Sequence, residues 1–157
     1  MASADVLLLD IDGILTDGRV WIGPDGSESK AIAFVDIDAV FRLRRAGLRI
    51  GFITGESGPF TEYVRRRFEP DIMITGRKDK LAAFNELVKE LDLDRERVAY
   101  AGDSHHDIEL LRALTRTFAP ADAHEAVRGA ATHVLRTRRG EGVVEEIADI
   151  LLERAKP

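Results

Sequence analysis

Val6-Leu7-Leu8-Leu9-Asp10-Ile11-Asp12-Gly13-Ile14-Leu15-Thr16-Asp17-Gly18 is the stretch from which the rest of the chain is read. Four apolar residues in a row predict a strand buried on both faces, as in a parallel sheet covered by helices. The run then stops at two carboxylates two residues apart, followed by glycine. Had the strand continued, its period of two would put Asp10 and Asp12 on one face. Gly13 predicts a turn instead, with both acids still within reach of the strand end. In an open α/β sheet, the crevice beyond the carboxyl end of a central strand is where ligands bind. Two acids there can hold a hard cation such as Mg²⁺. One acid can also attack phosphorus while the other moves a proton. A lone Asp after an apolar run is usually a turn residue; the pair, with Thr16 and Asp17 close behind, is harder to read that way.

The 157 residues predict one domain spanning 1–157 with a full core. At a net charge of −5 there is no global basic field for nucleic acid. The chain has no cysteine, which excludes a disulfide, a thiolate nucleophile or a zinc–sulfur site and fits a reducing cytoplasm. No apolar run approaches the roughly 18 residues of a membrane span. Met1 to Asp5 lack the basic flank of a signal peptide.

Two short runs around Pro24-Asp25-Gly26 predict a β-hairpin, read as a surface ornament, a flap over the site or an edge for assembly. Asp36 to Ala46 predicts a helix that Asp36 caps and Gly47 ends. Arg49 to Thr54 is a second buried strand ending in a hydroxyl, followed by Gly55 and Glu56. Pro59 to Phe68 reads as a helix carrying Arg65, Arg66 and Arg67, of which at most two can address one ligand. Asp71 to Thr75 is a third strand. Lys78, Asp79 and Lys80 open a helix whose stripe is Leu81, Phe84, Leu87, Val88 and Leu91. Lysine at a helix start opposes the macrodipole, so it needs a reason such as a phosphate or clustered acids.

Arg97 to Ala101 predicts a fourth strand, ending in Gly102-Asp103 with Asp107 four residues on. His105 and His106 suggest a transition metal, but adjacent residues on a helix diverge and no third histidine lies nearby. Helices over Ile108–Ala113, 122–129 and 143–155 and strands over 116–119 and 132–135 complete the prediction, with 136–142 basic and flexible.

At these four strand ends the chain resembles the haloacid dehalogenase-like phosphatases. Asp10-Ile11-Asp12-Gly13-Ile14-Leu15-Thr16-Asp17-Gly18 is similar to the opening motif of its small branch that dephosphorylates 3-deoxy-2-ulosonic acid phosphates, of eight or nine carbons. Thr54, Lys80 in Gly76-x-x-x-Lys80, and Gly102-Asp103-x-x-x-Asp107 match the second to fourth motifs, in order. The resemblance implies a Rossmann-like α/β fold without a cap domain, its central, mostly parallel sheet flanked by helices and bearing a hairpin flap. It also implies a Mg²⁺-dependent phosphomonoesterase. Asp10 would be the nucleophile and Asp12 the general acid and base. Thr54 and Lys80 would hold the phosphoryl oxygens. The metal would be held by Asp10, Asp12 through its main-chain carbonyl, and Asp103, with Asp107 in support. The family uses the hairpin in tetramer contacts, so the resemblance implies a homotetramer whose neighbour closes the open site over a phosphorylated sugar acid. Gly55, Glu56 and Arg67 are the further expected substrate contacts. Thr-Gly-Glu with an arginine-rich helix behind it is similar to the nine-carbon 9-phosphate enzymes, which favours the nine-carbon ester.

This chain departs from the pattern where the family has Gly-Gly-x-Gly-Ala-Val-Arg-Glu and it has Arg139-Gly140-Glu141-Gly142-Val143-Val144-Glu145-Glu146. Ser104 also stands where a second acid is frequent. Two other classes share some of these features: a signalling receiver domain, which would end its third strand in Asp where this chain has Thr75, and a binding scaffold that has lost catalysis.

Overall fold

In the computed structural model, which describes residues 4–153, β1 (Val6–Leu9) is buried on both faces and sorts the core into two layers. Leu7 and Leu9 pack with α1 (Phe34–Arg45), α2 (Pro59–Phe68) and α6 (Val143–Glu153). Val6 and Leu8 pack with α3 (Lys80–Leu91), α4 (Ile108–Ala113) and α5 (Glu125–Arg128). The continuous apolar run is thus a strand with no solvent face, its alternate side chains serving opposite layers.

β1 lies between β4 (Arg49–Ile53) and β6 (Val98–Ala101), parallel to both. β5 (Ile72–Ile74) extends the sheet beyond β4; β7 (Thr117–Ala119) and β8 (His133–Val134) extend it beyond β6. The order is β5-β4-β1-β6-β7-β8, with every pairing parallel. The chain leaves β1 toward one edge and later returns to its other side. The loops after β1, β4 and β6 therefore surround a single crevice at the switch point. β2 (Trp21–Ile22) and β3 (Glu28–Ser29) form the separate antiparallel hairpin. No cap domain interrupts the described residues, and no helix among them is long and apolar enough to cross a membrane.

Several expectations are corrected. α1 begins at Phe34, two residues early, and Asp36 does not cap it. The buried Asp36 instead accepts the N–H groups of Val144 and Glu145 at 2.9 and 3.0 Å, tying α6 to α1. Burial raises its carboxyl to about 6 against those two donors. On α3 the buried positions are Lys80, Ala83, Phe84 and Leu87, while Leu91 is exposed. α5 is shorter than expected because His124, not Asp122, accepts the N–H of Ala126 at its start. Residues 136–142 are not loose: Glu146 takes the N–H groups of Arg136 and Thr137, and Asp122 takes that of Arg139. The expected end of α6 at Ala155 lies outside the described residues.

Candidate active site

The strand ends after Leu9, and the N–H of Asp10 still pairs with the carbonyl of Ala101 at the end of β6. The chain then curls into a tight turn, with the N–H groups of Leu15 and Thr16 on the carbonyl of Ile11. Thr16 Oγ1 closes it by accepting from Gly13 and Gly18. Gly13 has φ +87°, and a Cβ there would lie 1.9 Å from Asp103 Oδ2. The glycine therefore lets the first motif close onto the fourth. Gly102 lets the fourth motif fold tightly on itself, since a Cβ there would lie 2.5 Å from Asp107 Cβ.

A cavity of about 270 Å³ opens at these strand ends. Asp10, Asp12, Thr54, Gly55, Glu56, Lys80 and Asp103 line it, so residues from four separate motifs converge. Arg67 is not brought there; its guanidinium lies over the Phe41 ring at 5.5 Å. A wider cleft of about 370 Å³ runs between β5 and α3, but its Arg77 and Glu86 are spent on one another at 2.9 and 3.0 Å.

Lys80 is the centre of the site. It is buried in the first turn of α3, with Nζ 3.0 Å from Asp10 Oδ2 and 2.6 Å from Asp107 Oδ1. Burial disfavours its ammonium, but Asp10 and Asp107 outweigh this and raise its pKa. Asp107 Oδ1 also accepts from Tyr100 Oη at 2.6 Å. Its Oδ2 accepts the N–H groups of Asp103 and Ser104, both at 2.9 Å, and the Ser104 hydroxyl at 3.1 Å. Burial opposes ionisation of Asp107, yet Lys80 and these donors hold it below the usual carboxylate range. Asp107 is thus saturated, and serves as an organiser of Lys80 and of the 103–104 loop.

Asp10 is different. Burial pushes its carboxyl well up; Lys80 offsets this in part, while Asp107 and Asp103 add to it. Asp103 is pushed to about 6 by burial and Asp107, against Arg139 and Lys80. One oxygen from each of Asp10, Asp103 and Asp107 lies within 4.8 Å of the others. Such a buried all-oxygen donor set, short of positive charge, fits a hard divalent cation. Asp10 and Asp103 are its available side-chain ligands. His106 lines the cavity, whereas the His105 ring packs on His124 at 4.8 Å, so the two histidines do diverge.

Thr54 is buried; its Oγ1 accepts the N–H of Glu56 at 3.1 Å, and its own hydrogen has no acceptor among the described residues. It remains available to an oxygen in the cavity. Sequence reasoning missed three residues. Lys30, arriving from the hairpin, places Nζ 2.8 Å from Asp12 Oδ1 and over the Phe60 ring. Arg139 reaches Asp103 Oδ2 at 3.3 Å. Tyr100 alone carried a signal, a hydroxyl inside a wholly buried strand that must find a partner.

A family profile described as haloacid dehalogenase-like hydrolase matches residues 70–147. The chain is 32% identical over 155 residues to the 3-deoxy-D-manno-octulosonate 8-phosphate phosphatase of Escherichia coli (strain B / BL21-DE3), covering 97% of this chain and 82% of that protein. A Moraxella catarrhalis phosphatase of the same name, crystallised with a magnesium ion, a phosphate ion and KDO, superposes with a TM-score of 0.91 at 27% identity, over 96% of this chain and 86% of that one. The cobalt-bound Haemophilus influenzae phosphatase gives a TM-score of 0.90 at 28% identity, over 96% and 88%.

Proposed function

This chain belongs to the haloacid dehalogenase-like hydrolases and is a phosphoric monoester hydrolase, and from that premise we propose that it releases phosphate from a 3-deoxy-2-ulosonic acid phosphate through an aspartyl-phosphate intermediate. The observation that carries this reading is the Lys80 ammonium held between Asp10 and Asp107 at the mouth of β1, beside Asp103. A phosphate monoester resists hydrolysis because negative oxygens ring the attacked centre, so catalysis is mainly positioning and charge neutralisation. Asp10, Asp103 and the main-chain carbonyl of Asp12 would hold Mg²⁺, which would supply positive charge against the phosphoryl oxygens.

The remaining steps belong to the protein. Lys80 and the Thr54 hydroxyl hold the phosphoryl group in line with Asp10. A carboxylate oxygen of Asp10 forms a bond to phosphorus as the ester P–O bond breaks, and Asp12 gives its proton to the departing alkoxide. Asp12 then takes a proton from the water that attacks the aspartyl phosphate, freeing Asp10 and inorganic phosphate. Lys30 on Asp12 Oδ1 fixes the carboxyl for both transfers.

The relatives' names favour the eight-carbon 8-phosphate as substrate. Glu56 supports a second reading, the nine-carbon 9-phosphate, because this exposed acid lines the cavity and can accept from hydroxyls or an amide while repelling a carboxylate. Phosphate release from both esters, with Mg²⁺ and with EDTA, by wild type and Glu56→Arg, decides between them. The expected result is faster turnover of the eight-carbon ester and silence in EDTA. Faster turnover of the nine-carbon ester, reversed by Glu56→Arg, selects the second reading. Failure on both esters removes the ulosonate assignment.

The site is open, and the hairpin above it exposes Trp21 by 70% and Ile22 by 61%. Such an apolar edge suits burial in a homotetramer that brings a neighbour to the cavity. Light scattering at micromolar concentration should give a tetramer, and Trp21→Asp should dissociate it and lower kcat/KM. A fully active wild-type monomer excludes closure by a neighbour.

A further inference from the structure

Arg139 is a cation that the catalytic scheme does not use, placed on a carboxylate that the scheme does use. Its Nη1 donates to Asp103 Oδ2 at 3.3 Å. Asp122 fixes the residue from behind: its Oδ1 accepts the Arg139 N–H at 2.9 Å, its Oδ2 accepts Nε at 3.3 Å, and its main-chain oxygen accepts Nη2 at 3.5 Å. The backbone is pinned too, since Gly140 has φ +79° and a Cβ there would lie 2.6 Å from Asp17 Cβ. With each guanidinium nitrogen on a protein oxygen, the side chain is a strut between Asp122 and Asp103.

We propose that Arg139 is a built-in counter-cation that competes with the divalent metal for Asp103 and sets a weaker Mg²⁺ affinity than the carboxylates alone would give. The inference rests on the metal assignment made above. Four carboxylates gather at the strand ends, Asp10, Asp12, Asp103 and Asp107, with the exposed Glu56 at the cavity wall. Three cations form ion pairs with these aspartates, Lys80 with Asp10 and Asp107, Lys30 with Asp12, and Arg139 with Asp103, while Lys78 also lines the cavity. Arg139 is the one whose partner is an available metal ligand and whose guanidinium is held by a group outside the cavity. A guanidinium and a divalent cation sharing one carboxylate repel each other, and at an effective dielectric of about 20 the repulsion exceeds thermal energy even at ~8 Å. The Arg139 side chain is one-third exposed, and solvent screening reduces the effect without reversing it.

Calorimetric titration of Mg²⁺ into the substrate-free protein tests this directly. Arg139→Gln keeps a donor but removes the charge, and Arg139→Gly removes the side chain. Both should tighten the Mg²⁺ Kd about tenfold, while Arg139→Lys, which keeps the charge, should stay within about threefold of wild type. The apparent Mg²⁺ constant for phosphate release should fall in parallel, with a smaller change in kcat. Loosening of the 136–142 loop would weaken metal binding, so a merely structural role cannot produce the tightening. A Kd that is unchanged or weaker in both neutral variants overturns the role of Arg139 alone. A wild-type protein that takes up no Mg²⁺ overturns the metal assignment, and this inference with it.

Discussion

Asp10→Asn should lower kcat by more than about a hundredfold and leave no phosphorylated enzyme to isolate. An amide has no carboxylate oxygen with which to attack phosphorus, and none of the nearby acids is placed to replace it. Asp107 has both oxygens committed to five donors. Asp103 shares one oxygen with Arg139, and Asp12 is held by Lys30. The substitution carries a second, smaller signature. Asp10 Oδ1 accepts the N–H of Ile11 at 2.7 Å and Oδ2 faces Lys80. Whichever way the Asn amide turns, its NH₂ meets one of these donors, at a cost of about 1–3 kcal/mol. Thermal melting should therefore show a folded protein of slightly lower Tm. Acid quenching during turnover, followed by peptide mass analysis, should find the phosphate on Asp10 in the wild type. Activity above about a hundredth of wild type, or a phosphopeptide elsewhere, would place the nucleophile at another residue.

The parts of this site legible in the sequence are those where a strand stops. A carboxylate or short hydroxyl side chain that interrupts an apolar run marks the end of a buried strand, so Asp10, Thr54 and Asp103 announced themselves. Lysine at a helix start contradicts the dipole, which drew notice to Lys78 and Lys80 together, and the spacing from Gly76 in the resemblance chose Lys80. The residues that sequence missed, Lys30 and Arg139, arrive from loops by contacts with no local signature. Lys30 meets Asp12 across 18 residues and Arg139 meets Asp103 across 36. Arg139 sits in a run of basic residues that reads as solvated, and its capture by Asp122 depends on how the loop after β7 folds. The same reason explains Asp36, whose partner Val144 in the first turn of α6 lies 108 residues away. Arg67 failed in the opposite direction. Its position on α2 directs it to Phe41 and the α1 side of the sheet, which neighbouring arginines in sequence do not reveal. The family-level resemblance was carried by the four strand ends and agrees with the matched profile and structures. The carbon number of the substrate depends on exposed groups such as Glu56, where sequence constrains chemistry least.

Lys80→Met is expected to damage both stability and catalysis, and magnesium should restore only the first. The native ammonium compensates two buried carboxylates, at 3.0 and 2.6 Å. Methionine has a similar length and fills the space, so packing changes little, but Asp10 and Asp107 are left facing one another. Removing one partner of a buried ion pair costs about 3–5 kcal/mol. In a domain of this size that lowers Tm by roughly 10 °C. Burial already pushes the Asp10 carboxyl well up, so part of the loss is relieved by proton uptake at that group. Mg²⁺ binds the native carboxylates and not the unfolded chain, so adding it should recover several degrees. It cannot recover turnover, because the phosphoryl group then lacks the cation that aligns it with Asp10. We expect kcat/KM to fall more than about a thousandfold at saturating Mg²⁺. Lys80→Arg should not rescue it: the side chain is 3% exposed, and the broader guanidinium fork has no room between the two acids. Melting curves with and without Mg²⁺, beside kcat/KM on the same preparations, separate the two effects. A Lys80→Met protein that keeps more than about a tenth of wild-type kcat/KM would exclude Lys80 from phosphoryl binding and leave it a purely structural cation.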